Sequence, residues 1–231
     1  MNSPPLLLLD AVRKKSRRDG TLLFDALTLS LSSGDTLAVV GGEGSGLTTL
    51  ARLATGLEAP DRGRVLLEGE PLEQWDPQER AARIGLLWQI PEEGFLGATV
   101  WEEVALDPAG RGVPEAELRQ RVEAAMALAG LPVSMSHLHP LTLSPSFRAR
   151  IGLAAVLAQR PRLLVADEPG WALSTAGEES LAATLRRVCC EWGMALLVVT
   201  SRPERGRRFA SRLESLSGGR VIPFAPRSKA G

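Results

Sequence analysis

The sequence predicts an α/β fold, a mixed sheet wrapped by helices with a smaller antiparallel sheet at its edge. Three apolar runs predict it. Asp35–Val40 (Asp-Thr-Leu-Ala-Val-Val) is short and β-branched, and leads through glycines into Leu50, Leu53 and Ala54 at helical spacing. Arg162–Pro169 is an apolar strand pattern closed by two adjacent carboxylates, Asp167 and Glu168. Met194–Thr200 is the last apolar run, and a helical pattern separates it from the second. Strand–helix alternation of this kind implies parallel pairing.

The remaining elements follow in order. Residues up to about 33 read as strands of the edge sheet, most plainly Leu22–Leu31, and Val65–Leu67 continues it. Asp76-Pro-Gln-Glu79 is a helix start, with an Asp cap, Pro in the first turn and an acid three residues on. Glu115–Ala129 places Leu118, Val122, Ala125, Met126 and Ala129 on one helical face. Ser144 is expected to cap a helix over Pro145–Leu157, and a further helix covers about Glu178–Trp192. The tail Pro223–Gly231 is rich in Pro, Arg, Ser and Lys and is expected to fray. The 231 residues suit one domain, 1–231, with a helical subdomain at about 92–160.

Composition narrows the function classes. Hydrophobic residues make up 44% of the chain, enough for a sizeable core. Lys plus Arg equals Asp plus Glu, so the net charge is zero, which argues against a dedicated nucleic-acid binder. Leu6–Leu9 is too short to span a bilayer, and no basic segment precedes it. Membrane association is therefore expected only through partners. Cys189 and Cys190 are adjacent, without metal or redox spacing, and read as reduced helix residues of a cytosolic protein. His137 and His139 lack further ligand-type neighbours and read as loop residues.

The chemistry lies in the first glycine cluster. Residues 41–49 are Gly-Gly-Glu-Gly-Ser-Gly-Leu-Thr-Thr. They match the phosphate-loop pattern G-x-x-x-x-G-K-[ST] except that Leu47 stands where Lys belongs. Glycines let backbone N–H groups curl around an anion, and a helix N-terminus adds partial positive charge. Gly41, Gly44, Ser45, Gly46, Leu47, Thr48 and Thr49 are the candidate nucleotide-binding positions. The Thr48 hydroxyl sits where a Mg²⁺ ligand belongs. Losing the Lys removes a charge-assisted hydrogen bond of roughly 1.5–3 kcal/mol, or about 10- to 100-fold in triphosphate affinity. Asp167 is placed to hold Mg²⁺, and Glu168 to polarise an attacking water. A glycine-rich turn that binds nothing is the competing reading. The distant Asp-Glu strand weighs against it.

Over nearly its whole length the chain resembles the nucleotide-binding subunit of an ABC transporter, a P-loop NTPase. Gln89, in Ile84-Gly-Leu-Leu-Trp-Gln-Ile-Pro-Glu-Glu93, matches the family's Q-loop. The resemblance implies that Gln89 touches Mg²⁺ and the attacking water, and that the next segment meets a membrane subunit. Phe95–Leu106 resembles the same region of the energy-coupling-factor type, importers of vitamins and cobalt or nickel. Leu143-Ser-Pro-Ser-Phe-Arg-Ala-Arg150 falls where the signature L-S-G-G-Q lies. There the resemblance makes Ser144 and Ser146 candidates for contact with a nucleotide held by a second subunit.

The chain also departs from the family pattern at several motifs. Pro145, Ser146 and Phe147 replace Gly, Gly and Gln of the signature. Ser201 holds the place of the switch His, and Trp171-Ala-Leu-Ser174 lacks the closing Asp of the D-loop. The adenine-stacking aromatic falls near Ser16, and the chain has no Tyr. In this family two subunits sandwich two nucleotides, so a homodimer would carry every defect twice. The expected partners are therefore a second ABC ATP-binding subunit, in a heterodimer rather than a homodimer, and an integral membrane transport subunit. The expected ligands are ATP and Mg²⁺, with weak or lost hydrolysis. A regulatory or structural pseudo-ATPase partnered with a competent ATPase is the alternative.

Two further groups carry paired readings. Lys14, Lys15, Arg17 and Arg18 form either a solvated charged loop or a substitute cation for the missing Lys; Arg52 is expected to face solvent. Trp88, Phe95 and Trp101 are either core aromatics or the lining of a groove for a membrane subunit's coupling helix.

Overall fold

The computed structural model describes residues 4–225. In chain order its first half runs β1 (Leu7–Lys15), β2 (Leu22–Leu31), β3 (Thr36–Gly41), α1 (Leu47–Ala54), β4 (Arg62–Leu67), β5 (Glu70–Pro71), α2 (Pro77–Arg83), β6 (Ile84–Leu87) and α3 (Val100–Gly110). The second half runs α4 (Glu115–Leu128), α5 (Pro145–Ala158), β7 (Leu163–Asp167), α6 (Thr175–Trp192), β8 (Ala195–Thr200), α7 (Pro203–Phe209), β9 (Arg212–Ser217) and β10 (Arg220–Pro223).

Two sheets result. One is antiparallel, in the order β2-β1-β4-β5. The other is mixed, in the order β10-β9-β3-β8-β7-β6, with every pair parallel except β10 and β9. The central strands β7 and β8 are buried on both faces, which is why they read as unbroken apolar runs.

The period of two in those strands divides the core in half. Leu37, Val39, Val165, Leu197 and Val199 pack with α1 and with the inner face of the antiparallel sheet. Their neighbours Ala38, Leu164, Ala166, Leu196 and Val198 pack with residues of α3, α4, α5 and α6 and with Phe209 of α7. Helices α3, α4 and α5 also pack against one another. The α/β architecture with a mixed sheet, an antiparallel edge sheet and a helical layer is the one the sequence predicts.

Several local expectations need correction. Lys14 and Lys15 belong to β1 rather than to a solvated loop, and Lys14 is buried. Ser144 occupies the N-cap position of α5, but its hydroxyl lies 3.2 Å from that of Ser146 and caps no backbone amide. Helix α6 begins three residues before Glu178, because Ser174 accepts a bond from the Gly177 amide at 3.2 Å. Pro223 ends a strand rather than a frayed tail, and residues 226–231 of that expectation lie outside the described residues. Helix α3 opens on a capping box, Thr99 with Glu102, a signal already present in the sequence. No helix among the described residues is long and apolar enough to cross a membrane.

Candidate nucleotide site

Strand β3 ends at Gly41 and the chain turns through residues 42–46 into α1. Gly44 and Gly46 have φ of 75° and 99°, the left-handed region where a side chain is strained. At Gly46 space also decides, since a Cβ there would lie 2.9 Å from Phe24 Cζ. The first amides of α1 receive no side-chain cap, and the residues that carry them, Leu47, Thr48 and Thr49, line the cleft.

The cleft has a volume of ≈ 610 Å³ and brings together Gly44, Gly46, Leu47, Thr48, Thr49, Gln89, Asp167, Glu168 and Ser201. Most of the sequence-predicted positions meet there. Gly41 and Ser45 do not line it. They face each other beneath the loop, where a Cβ on Gly41 would strike Ser45 Oγ, and that buried hydroxyl has no partner. Ser144 and Ser146, at the start of α5, are also outside the lining. Leu47 is half-buried and packs against the core cluster around α1, so its side chain is shared between core and cleft.

Asp167, at the end of β7, is 6% exposed. Burial raises its pKa above the ordinary carboxylate value; a polar contact from Thr48 and the charge of Arg52 oppose this, and the charge of Glu168 adds to it. A buried carboxylate beside a hydroxyl and a second carboxylate is a setting that a divalent cation relieves. The uncapped amides, Thr48 and Asp167 therefore fit a phosphate group and Mg²⁺ even without the lysine. A carboxylate with a raised pKa costs stability above its unfolded pKa, and that cost disappears as pH falls below it. Asp167→Asn is accordingly expected to stabilise the protein without nucleotide at pH 7 but not at pH 3, and to abolish the Mg²⁺ dependence of ATP binding. Urea unfolding at both pH values and calorimetry with and without Mg²⁺ check this.

Glu168 has φ of 46°, and its amide donates to Val199 O at 2.9 Å. This left-handed turn carries its carboxylate across the end of β8, onto Thr200, Ser201 and Arg205. Burial raises the Glu168 pKa, but the bonds from Ser201, Thr200 and Arg205 together hold it below the ordinary value. Arg205 was missed by sequence reading. Its signal is the spacing to Phe209, four residues on, which places both on the buried face of α7.

The basic segment matches neither of its expected roles in full. Lys14 is only 4% exposed: its Nζ donates to Ala59 O at 2.7 Å and pairs with Glu58 at 3.5 Å and Asp61 at 3.8 Å. Lys15, Arg17 and Arg18 are exposed, and Arg17 pairs with Glu58. Of that segment only Ser16 lines the cleft. Arg52 is exposed as expected, yet held by Glu58 at 3.4 Å. His139 Nδ1 accepts from the Leu141 amide, a loop role, and Cys189 is buried in α6 with its thiol pushed up to about 11.

The aromatics divide. Trp101 and, on one side, Phe95 pack against the core. Trp88 is 40% exposed and, with Phe95, Pro91, Leu106 and Val156, lines a mainly apolar groove of ≈ 200 Å³.

A family model described as ABC transporter matches residues 24–170. The energy-coupling factor transporter ATP-binding protein EcfA1 of Symbiobacterium thermophilum is 34% identical over 204 residues, which are 87% of this chain and 69% of that protein. The structure of cbiO1 from Clostridium perfringens, part of the ABC transporter complex cbiONQ, superposes with a TM-score of 0.84 at 24% identity, covering 94% of this chain and 87% of that one. The ATP-binding cassette MJ0796, in a dimeric post-hydrolysis state bound to ADP and Pi, superposes with a TM-score of 0.83 at 24% identity over 93% of this chain and 96% of that one. The chain belongs to the ABC transporter family, as an ATP-binding protein of the energy-coupling-factor type. The ligands of this family's cleft are ATP and Mg²⁺.

Proposed function

We propose that this chain is the nucleotide-binding subunit of an ABC importer, that it binds ATP–Mg²⁺ without efficient hydrolysis, and that it works in a heterodimer beneath a membrane subunit. The observation that carries the reading is the cleft: free helix amides, Thr48 with Asp167, and Gln89 converge on one space, with Leu47 where a cation would stand. Gly44, Gly46, Thr48 and Thr49 would hold the phosphates. Thr48, Asp167 and Gln89 would hold Mg²⁺, which neutralises phosphate charge when bound. Leu47 offers no charge to the β- and γ-phosphates, so the ground state and the transition state both lose stabilisation.

The heterodimer follows from which faces are altered. Ser144 and Ser146 are turned on one another at the mouth of α5, and Pro145 removes an amide between them. A second copy would present the same surface, whereas a different ATP-binding subunit could present an unaltered one. The groove at Trp88 and Phe95 supports docking of an apolar helix from the membrane subunit. The chain would then lie at the inner face of the cell membrane through its partners. A second reading, a regulatory pseudo-ATPase that does not itself drive transport, is favoured by the engagement of Glu168 by Ser201 and Arg205.

Calorimetric titration with ATP–Mg²⁺, followed by a turnover assay with and without the co-purified partner, tests the proposal. Binding with turnover well below about 1 s⁻¹, the low end of ordinary enzymes, is expected for the isolated chain. Faster turnover by the isolated chain, or no binding, would overturn it.

A further inference from the structure

An ionised carboxylate has two oxygens and about four lone-pair positions. At Glu168 the structure fills all of them. Oε1 accepts from the Ser201 amide and from the Ser201 hydroxyl, each at 2.6 Å. Oε2 accepts from the Thr200 hydroxyl at 2.7 Å and from Arg205 Nη1 at 2.6 Å. In ATP hydrolysis the water oxygen bonds the γ-phosphorus, the bridging P–O bond breaks, ADP leaves, and the water's proton passes to an acceptor. A general base must hold that water through a lone pair. Glu168 has none to present.

Three of the four donors come from the end of β8 and the residue after it, Thr200 and Ser201, and the fourth is anchored from behind. Arg205 is 4% exposed. Its Nε and Nη2 donate to Glu178 Oε1 at 3.2 and 2.6 Å, and Glu178 Oε2 accepts from Arg208 Nη1 at 2.6 Å. Two anions and two cations thus alternate from the cleft through Arg205 and Arg208 of α7, with Glu178 of α6 between them. Asp167 is the other ionisable group beside Glu168. Gly206 seats α7 on the sheet, since a Cβ there would lie 3.1 Å from the Ala38 side chain. Arg205 cannot turn away without taking a counter-charge from the buried Glu178 and from Glu168.

We propose that Arg205 is a positioning residue that locks Glu168 as a saturated acceptor, and that this lock, separately from the missing lysine, withholds Glu168 from base chemistry. The proposal rests on the reading of the cleft as an ATP–Mg²⁺ site. The test is made on the full chain carrying Leu47→Lys, so that the absent cation does not mask the effect. Adding Arg205→Met is expected to raise ATP turnover at least about tenfold at unchanged ATP affinity, within the range that general-base catalysis contributes. Adding Glu168→Gln as well should remove that gain, and Arg205→Lys, which keeps a charged donor, should show less than half of it. A flat or lower turnover with ATP affinity intact overturns the lock, and so does a gain that survives Glu168→Gln.

The failure of the function reading is separately visible. If the chain binds no ATP, a urea double-mutant cycle between Arg205→Met and Glu168→Gln decides the lock without nucleotide. A coupling of tenfold or more in the unfolding constant supports it, and a smaller one overturns it. If Arg205→Met does not fold, Arg205→Met with Glu178→Leu replaces the buried pair by apolar groups, an exchange that buried ion pairs often tolerate, and the same turnover outcomes apply.

Discussion

Leu47→Lys is expected to tighten ATP–Mg²⁺ binding about 10- to 100-fold, the equivalent of roughly 1.5–3 kcal/mol for a charge-assisted hydrogen bond to phosphate. The position suits the change. Leu47 opens α1, and its side chain already borders the cleft. A lysine there would follow the same apolar wall with its methylenes and carry its ammonium to the phosphates. Leu47 also packs against the core cluster, so the exchange has a structural cost. A fully buried Leu contributes about 1.5–3 kcal/mol, and the half-buried one here roughly 1 kcal/mol. The variant should therefore bind nucleotide more tightly while unfolding at slightly lower urea concentration. Calorimetry and urea melts read the two effects apart. An unchanged affinity would show that phosphate does not reach the loop.

Phe24→Ala is expected to destabilise the protein by about 3–5 kcal/mol, the range for emptying a buried aromatic site. Phe24 is fully buried, and its ring closes the space beneath Gly46. Removing it takes the floor from the glycine whose backbone shapes the phosphate loop. ATP affinity should fall along with stability. Leu7→Ala is the comparison, since Leu7 is fully buried in the same cluster but at the opposite end of β1 from the Phe24 pairing. It should lower stability by about 2–5 kcal/mol with a much smaller loss of affinity. Equal losses of affinity in both variants would show that nucleotide binding merely follows global stability.

The parts of this site that were legible in sequence are local in origin. A glycine-rich turn between an apolar strand and a helix fixes its own geometry, and so does an apolar strand closed by Asp-Glu. Gln89, Asp167, Gly44 and the loop residues from Gly46 to Thr49 thus fall around one cleft. What was not legible depends on partners distant in sequence. Lys14 looked like one of four solvated cations, but Glu58 and Ala59, in the connection between α1 and β4, reach it. Ser144 has the right residue type and position for a cap, and a neighbouring hydroxyl takes its bond instead. Glu168 reads as a free carboxylate until α7 brings Arg205 against it from 37 residues away. Propensity and spacing carry no record of such encounters, because a side chain's partner is chosen by tertiary packing.

Trp88 and Gln89 are consecutive residues that open into different concavities, the first into the apolar groove and the second into the nucleotide cleft. Their Cα atoms are about 3.8 Å apart across one rigid, planar amide. That single plane is a party wall. If it tilts to follow whatever fills one room, the shape of the other changes in the same instant, with no chain of intermediate side chains to relay the message. Two occupants that never meet would each sense the other through the thickness of one peptide.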